Sequence, residues 1–359
     1  MNKPMIIDFS KDWKDANGKY IFQGNIDQSL YERLISLISA WENEKDFMEV
    51  NTSGSTSAPK TIHIKKEWMK ASAVLTLETL DIKPGQKALL CISLDHIGGI
   101  MMLIRAMIGT LQLHILAPSS SPEITESVDF TALVPMQVYS LWQKNTSLNE
   151  FGTVIIGGAP LSPRWEHILK QRKIPIYATF GMTETVSHIA LKRLDGENAK
   201  PYFRCLPGLK ASVDVEQKLI LDIAHFDGLH LQTNDAVELI DEKKFIWKGR
   251  ADFMINSGGK KVFPEFLEQR MSKYLEVEFF ISSIAHEQLG ETIVLCLESS
   301  PLNMPSPSSW EKILQAHEIP RRIFAIPEFK RTASGKVLRK ESLADAELIW
   351  SKDDPPLSH

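Results

Sequence analysis

Between residues 66 and 178, short apolar runs alternate with segments of helical length, and this alternation restricts the possible folds more than any other feature of the chain. The runs at 88–93, 113–117, 132–135, 153–156 and 176–178 are apolar along their length rather than alternating. Strands of that kind belong to a parallel sheet covered by helices on both faces. Upstream, Leu30, Leu34, Leu37 and Trp41 recur at helical spacing within 27–48, and 66–82 repeats the pattern. From 211 the texture changes to shorter runs at 211–216, 218–223, 236–240 and 243–248, with turn-like Glu216-Gln217 and Asp241-Glu242 between them. These predict an antiparallel element closing a large domain. A Ser-Gly-Gly turn at 257–259 then leads into a helix near Pro264, with Leu267, Met271 and Leu275 on one face. Runs at 277–284 and 292–297, a Pro-rich loop at 301–307 and a helix from Ser308 complete a smaller unit. The expected architecture is α/β: a large domain of layered sheets and helices over 1–249, and a small mobile α+β cap over 250–359.

Charge and cysteine content exclude several classes of function. Forty-one Lys and Arg against 45 Asp and Glu give a net charge of −4, so no large positive field is available to hold nucleic acid. Cys91, Cys205 and Cys296 are too far apart for a metal-binding pair and odd in number for a disulfide framework, which fits a reducing cytoplasm. The first residues lack the apolar stretch of a signal peptide. The most apolar region, 97–116, is broken by Arg105, Gln112 and His114, so no membrane span is expected.

Four stretches carry candidate chemistry. Asn51-Thr-Ser-Gly-Ser-Thr-Ser-Ala-Pro-Lys60 gathers hydroxyls around a glycine and ends in a lysine, a composition suited to polyphosphate, although it lacks the second glycine of a Walker A loop. A solvated Ser/Thr linker has the same composition. Phe180-Gly-Met-Thr-Glu-Thr185 follows a parallel-strand run, which puts Thr183 and Glu184 at the end where α/β sheets bind ligands. A helix start capped by Thr183 is the plainer reading of that stretch. Thr233-Asn-Asp235 and Gly249-Arg-Ala-Asp252 offer an aspartate for ribose hydroxyls and a neighbouring arginine, but each also fits a turn or a surface. Lys330-Arg-Thr-Ala-Ser-Gly-Lys336 presents a lysine after a Ser-Gly turn, or is simply a basic loop.

Taken together and in this order, the four stretches resemble the motifs of the acyl-adenylate-forming superfamily of acyl- and aryl-CoA ligases, luciferases and peptide-synthetase adenylation domains. The resemblance spans about Asn51 to Leu343. Within that superfamily, 181–194 is most similar to the o-succinylbenzoate–CoA ligases of menaquinone biosynthesis. Two further segments match: Leu94-Asp-His-Ile-Gly-Gly99 resembles the stretch beside the acyl pocket, and Gly157-Gly158-Ala159-Pro160 resembles the stretch along adenine. Ser57 and Asn234 stand where the family has glycine. Relatives carry a longer region before the phosphate loop, so a shortened N-terminal subdomain is expected here.

The resemblance implies ATP, Mg²⁺ and coenzyme A as partners of a small carboxylic acid, with no nucleic acid and no membrane. Adenylation would release pyrophosphate, and attack of the thiol on the acyl-adenylate would release AMP. It implies Ser53, Gly54, Ser55, Thr56 and Lys60 around the β- and γ-phosphates, Thr183 on the α-phosphate, Glu184 on Mg²⁺, and Lys336 as the catalytic lysine. Gly157, Gly158, Ala159 and Gly181 would line the nucleotide, Asp235 and Arg250 would hold ribose, and Asp252 would be the hinge of the cap. Ser257, Gly258 and Gly259 would border the pantetheine arm. His96, Ser187 and His188 are candidates for the acid. No arginine can be assigned to a second carboxylate from sequence. A ligase for another aryl or acyl acid, and an adenylating enzyme loading a carrier-protein thiol, would share every nucleotide motif. A nucleotide-binding sensor would not need Lys336.

Overall fold

The computed structural model describes residues 4–352 apart from 26, 52–60, 125, 145–149, 273, 276, 299–309, 311 and 332–336. It folds as two compact units. The first comprises Met1–Leu161, Leu169–Lys210 and Asp222–His230, and the second Ser162–Ile168, Ala211–Leu221 and Leu231–His359.

The first unit contains β1 (Met5–Asp8), α1 (Gln28–Glu42), β2 (Phe47–Asn51), β3 (Thr61–Lys65), α2 (Lys66–Thr79), β4 (Lys87–Leu90), α3 (Ile97–Ile108), β5 (Gln112–Ile115), β6 (Val128–Leu133), α4 (Pro135–Gln143) and β7 (Phe151–Ile156). After α5 (Pro163–Leu169), which packs mainly with the second unit, come β8 (Ile176–Gly181), β9 (His188–Arg193) and β10 (Phe203–Cys205). Their order is β1-β5-β4-β6-β7-β8-β9-β10. Strands β5, β4, β6, β7 and β8 are mutually parallel, while β1 and the β8–β9–β10 hairpins run antiparallel at the two sides. Leu89, Leu90, Phe130, Leu133, Val154 and Ile156 are buried, as expected of strands covered on both faces.

Chain order reverses beside β4: the crossover through α3 leads to β5 on one side, and the next strand, β6, lies on the other. Open α/β sheets bind ligands past the carboxyl ends of the strands at such a switch. The segment 94–99 follows β4, Gly157-Gly158 follows β7, and Thr183-Glu184 follows β8, so three of the sequence motifs share that end of the sheet.

Mostly in the second unit, β11 (Leu209–Val213), β12 (Lys218–Ile223), β13 (Leu229–Asp241) and β14 (Lys244–Arg250) form an antiparallel meander. Strand β13 is far longer than the run at 236–240 predicted, because Thr233, Asn234 and Asp235 continue the strand instead of making a turn. Next come β15 (Ile255–Ser257), β16 (Lys260–Val262), α6 (Pro264–Met271), β17 (Phe279–His286), β18 (Gly290–Glu298), β19 (Arg322–Ile326), α7 (Arg339–Leu343) and β20 (Glu347–Ser351). Strand β18 pairs with β17 and with parallel β19, and Leu267 and Met271 of α6 pack with Ile281, Leu295 and Trp310 in the core beneath. Residues 312–320 form turns where a helix from Ser308 was expected, and the start of that stretch lies outside the described residues. No helix among the described residues is long and apolar enough to cross a membrane.

Candidate active site

The phosphate-loop residues Ser53, Gly54, Ser55, Thr56, Ser57 and Lys60, and the lysine Lys336, lie outside the described residues. The loop joins β2 to β3, whose last pair is Asn51 opposite Thr61, with the Thr61 hydroxyl donating to Asn51 Oδ1 at 2.9 Å.

At the end of β8 the backbone is shaped by close contacts. A Cβ on Gly181 would sit 2.2 Å from the Ser187 carbonyl oxygen, and one on Gly157 would sit 2.3 Å from Thr179 Oγ1. Gly158 has φ +84, so a side chain there would be strained. Substituting Gly181 by Ala must push β8 and β9 apart. The expected result is a lowered melting temperature together with weaker nucleotide binding, read by thermal unfolding with and without ATP, and an unchanged melting curve would contradict the geometry. Thr183–Thr185 form one 3₁₀ turn, with Thr183 half-buried and Glu184 exposed. Among the described residues the Glu184 carboxylate has no partner and Glu184 belongs to no three-ligand cluster. An exposed carboxylate beside phosphates is what Mg²⁺ needs, since it keeps several waters and takes one or two protein oxygens.

Beyond this turn Val186 adopts φ 65 and ψ −50, and the Ser187 N–H donates to the Thr185 carbonyl at 2.6 Å. This is a γ-turn on a fully buried β-branched residue, a strained conformation that recurs at functional sites. The Thr185 hydroxyl accepts from the Met182 N–H at 2.9 Å and bonds the Ser187 carbonyl at 2.8 Å, locking the turn. Its consequence is the placement of the two side chains that follow.

Ser187 Oγ accepts a hydrogen bond from Arg105 Nη2 at 2.7 Å, across 82 residues of sequence. Arg105 is only 2% exposed, its Nε has no hydrogen-bond partner, and among the described residues it pairs with no carboxylate. Burial pushes its guanidinium down to about 9, so it remains charged at neutral pH. His188 is buried alongside, and its Nε2 lies 3.1 Å from Thr76 Oγ1. Because the Thr76 hydroxyl gives its proton to the Ser72 carbonyl at 2.9 Å, Nε2 must be the donor and Nδ1 the bare nitrogen. Burial, and then the charge of Arg105, hold His188 well below the usual histidine range, so it is neutral. His96 is exposed at the N-terminus of α3 and makes no side-chain capping bond. Arg105 was read in the sequence only as a break in an apolar stretch. The signal that marks it is a lone charge in a helix apolar on every face, since such a helix is buried all round.

In the second unit, Asp235 lies opposite Arg250 in the β13–β14 register. Its carboxylate accepts from Trp247 Nε1 at 2.8 Å, and burial raises its pKa while Trp247 and Arg250 oppose that rise. Asp252 accepts from Asn234 Nδ2 at 2.9 Å and from Arg250 Nη2 at 2.8 Å. Asn234, where the superfamily motif has glycine, thus ties the strand to the residue expected to act as hinge. Ser257 pairs with Lys260, and Gly258 and Gly259, both with positive φ, form the two-residue turn between β15 and β16.

A cavity of about 300 Å³ is lined by Tyr177 of β8, Leu191 and Arg193 of β9, Arg204 and Cys205 of β10, and Lys200. It belongs to none of these motifs.

The profile of the AMP-binding enzyme family matches residues 48–219. A 2-succinylbenzoate–CoA ligase of Bacillus cytotoxicus is 23% identical over 331 residues, covering 81% of this chain and 68% of that one. Its counterpart from Listeria monocytogenes serotype 4b is 25% identical over 339 residues, covering 85% and 71%. Among solved structures, an acyl-CoA synthetase (AMP-forming)/AMP-acid ligase II-like protein from Dyadobacter fermentans is 31% identical with a TM-score of 0.61, covering 90% of this chain and 96% of that one. The o-succinylbenzoate CoA synthetase of Bacillus subtilis, solved with its acyl-adenylate intermediate, shares the fold at 19% identity and a TM-score of 0.67, covering 84% and 69%. Motifs gathered at the carboxyl ends of β4, β7 and β8, a family profile over that region, and a relative similar along nearly its whole length agree: the chain belongs to the AMP-binding enzymes.

Proposed function

We propose that the protein is an ATP-dependent, AMP-forming acid–thiol ligase that joins o-succinylbenzoate to coenzyme A, a step of menaquinone biosynthesis. One observation carries the choice of acid: Arg105 is a buried cation with no counter-ion among the described residues, bonded to Ser187 just past the nucleotide motif. A buried charge is costly until an anion meets it, so such a site selects a substrate that brings one. o-Succinylbenzoate carries two carboxylates. Its succinyl carboxylate reacts, and its ring carboxylate is left for Arg105, with Ser187 and neutral His188 beside it. The 2-succinylbenzoate–CoA ligases among the relatives support this reading.

In the first half-reaction the acid attacks the α-phosphorus of ATP and pyrophosphate leaves. Catalysis of that step is positioning and charge stabilisation. Ser53, Ser55, Thr56 and Lys60 hold the β- and γ-phosphates, Thr183 contacts the α-phosphate, and Lys336 bridges the reacting carboxylate and the α-phosphate. Glu184 would hold Mg²⁺, which would supply neutralisation of the charge that develops on the phosphates. Asp235 and Arg250 orient the ribose. In the second half-reaction residues 250–359 turn about Asp252, and the Ser257–Gly259 hairpin borders the pantetheine arm whose thiol attacks the acyl-adenylate.

The deciding experiment compares o-succinylbenzoate with 3-benzoylpropionate, which keeps the reacting chain but lacks the ring carboxylate. A site built around a buried charged donor discriminates strongly against an analogue that leaves it unpaired. The expected drop in kcat/KM for thioester formation is on the order of 10²-fold or more, read by mass spectrometry of the product. Equal turnover of the two acids overturns the substrate assignment, and turnover of a different acid alone redirects it within the family.

A further inference from the structure

Tyr177 and Arg193 pair across β8 and β9, and Arg204 and Leu191 pair across β10 and β9. Leu191 and Arg193 stand two residues apart on one strand, so all four side chains share a face of the sheet. The loop before β10 returns to the same strand, where the Lys200 N–H donates to the Arg193 carbonyl at 2.9 Å, and this brings Lys200 to the cavity those side chains line. The cavity lies wholly within the first unit. Arg193, Lys200 and Arg204 line it, and among the described residues no Asp or Glu does.

One of the three cations is already balanced. Arg193 donates to both oxygens of the buried Asp195 carboxylate, through Nη2 at 2.9 Å, and through Nη1 to the Tyr177 hydroxyl, whose ring centre lies 4.8 Å from the guanidinium. Because the Tyr177 oxygen accepts that bond, its own proton remains to be donated into the cavity. Lys200 and Arg204 differ. Both are exposed, and among the described residues their side chains have no hydrogen-bonding or ionic partner. Buried Leu191 and Cys205 make the floor apolar. A concavity lined by one sign of charge concentrates its field on what enters, and an apolar floor with a few convergent donors is the usual build of a small-molecule site.

We propose that this cavity is an accessory binding site for a small organic dianion, a dicarboxylate or a phosphomonoester with an apolar body. Arg204 offers a bidentate fork, Lys200 a point charge and Tyr177 a hydroxyl donor, while the body of the ligand covers Leu191 and Cys205. A monoanion leaves one cation unmatched, and an inorganic anion leaves the floor wet. At about 300 Å³ the space suits only a compact ligand. None of these residues has a part in the function proposed above, so the inference stands apart from it.

Isothermal titration calorimetry on the full-length protein tests the site. The probes are phthalate and phenyl phosphate, with benzoate as the monoanion and inorganic phosphate as the anion lacking an apolar body. Titrations are run on Arg105→Met with AMP in excess, which keeps the probes from the proposed acid and nucleotide sites. One-to-one binding of phthalate or phenyl phosphate is expected, the tighter of the two identifying the anionic group. Adding Lys200→Met or Arg204→Met should weaken it by about 5- to 10-fold each, and benzoate and inorganic phosphate should bind more weakly than their dianionic or aryl counterparts. Both side chains are exposed, so these variants fold as the parent does. No binding of either dianion, binding undiminished in the Lys200→Met/Arg204→Met pair, or equal binding of the controls overturns the proposal. With Arg105 intact, that pair should turn over o-succinylbenzoate and coenzyme A as the wild type does. A raised KM for either makes the cavity part of a substrate site and overturns its separateness, whereas failure of the wild type to form the thioester counts against the proposed function alone.

Discussion

Replacing Arg105 by Met should make the ligand-free protein more stable and the enzyme worse. The guanidinium is 2% exposed, is bonded only to a neutral hydroxyl among the described residues, and leaves Nε unpaired. Exchanging buried ionic groups for apolar side chains of similar volume is often neutral or stabilising by about 1–4 kcal/mol. The lower half of that range fits here, since the bond to Ser187 is lost as well. In a domain of this size, 1 kcal/mol moves the melting temperature by roughly 2–4 °C, so a rise of a few degrees is expected in thermal unfolding. In the same variant, kcat/KM for o-succinylbenzoate should fall on the order of 10²–10³-fold, because truncating one partner of a buried charge pair costs about 2–5 kcal/mol. The KM for ATP should hold.

The histidine beside it supplies an independent reading. His188 is depressed by burial and then by the Arg105 charge, so it disfavours the folded state increasingly as pH falls below its unfolded value. Removing the arginine leaves burial alone, raises the His188 pKa in the folded state and weakens that acid sensitivity. On lowering the pH from 7, the decline in stability should therefore level off at a higher pH in Arg105→Met than in the wild type, because it ends where the folded histidine itself takes up a proton. A variant that is less stable at neutral pH and still turns over o-succinylbenzoate normally would show that Arg105 is a structural ion and would remove the basis for the substrate assignment.

Lys336→Ala should abolish most acid-dependent pyrophosphate release while sparing thioester formation from the preformed adenylate. A donor aimed at charge that develops in the transition state is worth roughly 10²–10³ in kcat. A lysine that bridges the attacking carboxylate and the α-phosphate acts on both reacting groups, which places the expected loss at the upper end of that range. The thiol attack needs neither contact. Undiminished pyrophosphate release would remove the lysine from the mechanism. Absence of acid-dependent release in the wild type as well would favour a nucleotide-binding protein without this chemistry.

The core of the first unit was legible because its signals are local. Runs at 88–93, 153–156 and 176–178 became β4, β7 and β8 with ends moved by a few residues, since an apolar run between helical segments depends on nearest neighbours along the chain. The placement of Thr183 and Glu184 followed from the same rule, as β7 and β8 are parallel and motifs after parallel strands share one edge. The second unit was harder to read. Thr233-Asn-Asp235 has the composition of a turn yet runs straight through β13, because pairing with β14 and the Trp247 bond to Asp235 outweigh the turn preference of those residues.

By itself, then, the sequence determined an α/β chain of the adenylate-forming kind, with its nucleotide motifs at strand ends, because period, run length and motif order are properties of neighbouring residues. The tertiary structure alone decided that Arg105 meets Ser187 and that His188 is held neutral against Thr76. Those partners lie 82 and 112 residues apart. Contacts of that range leave no periodic trace. What a buried charge faces is set by the packing of elements whose spacing along the chain is silent about it.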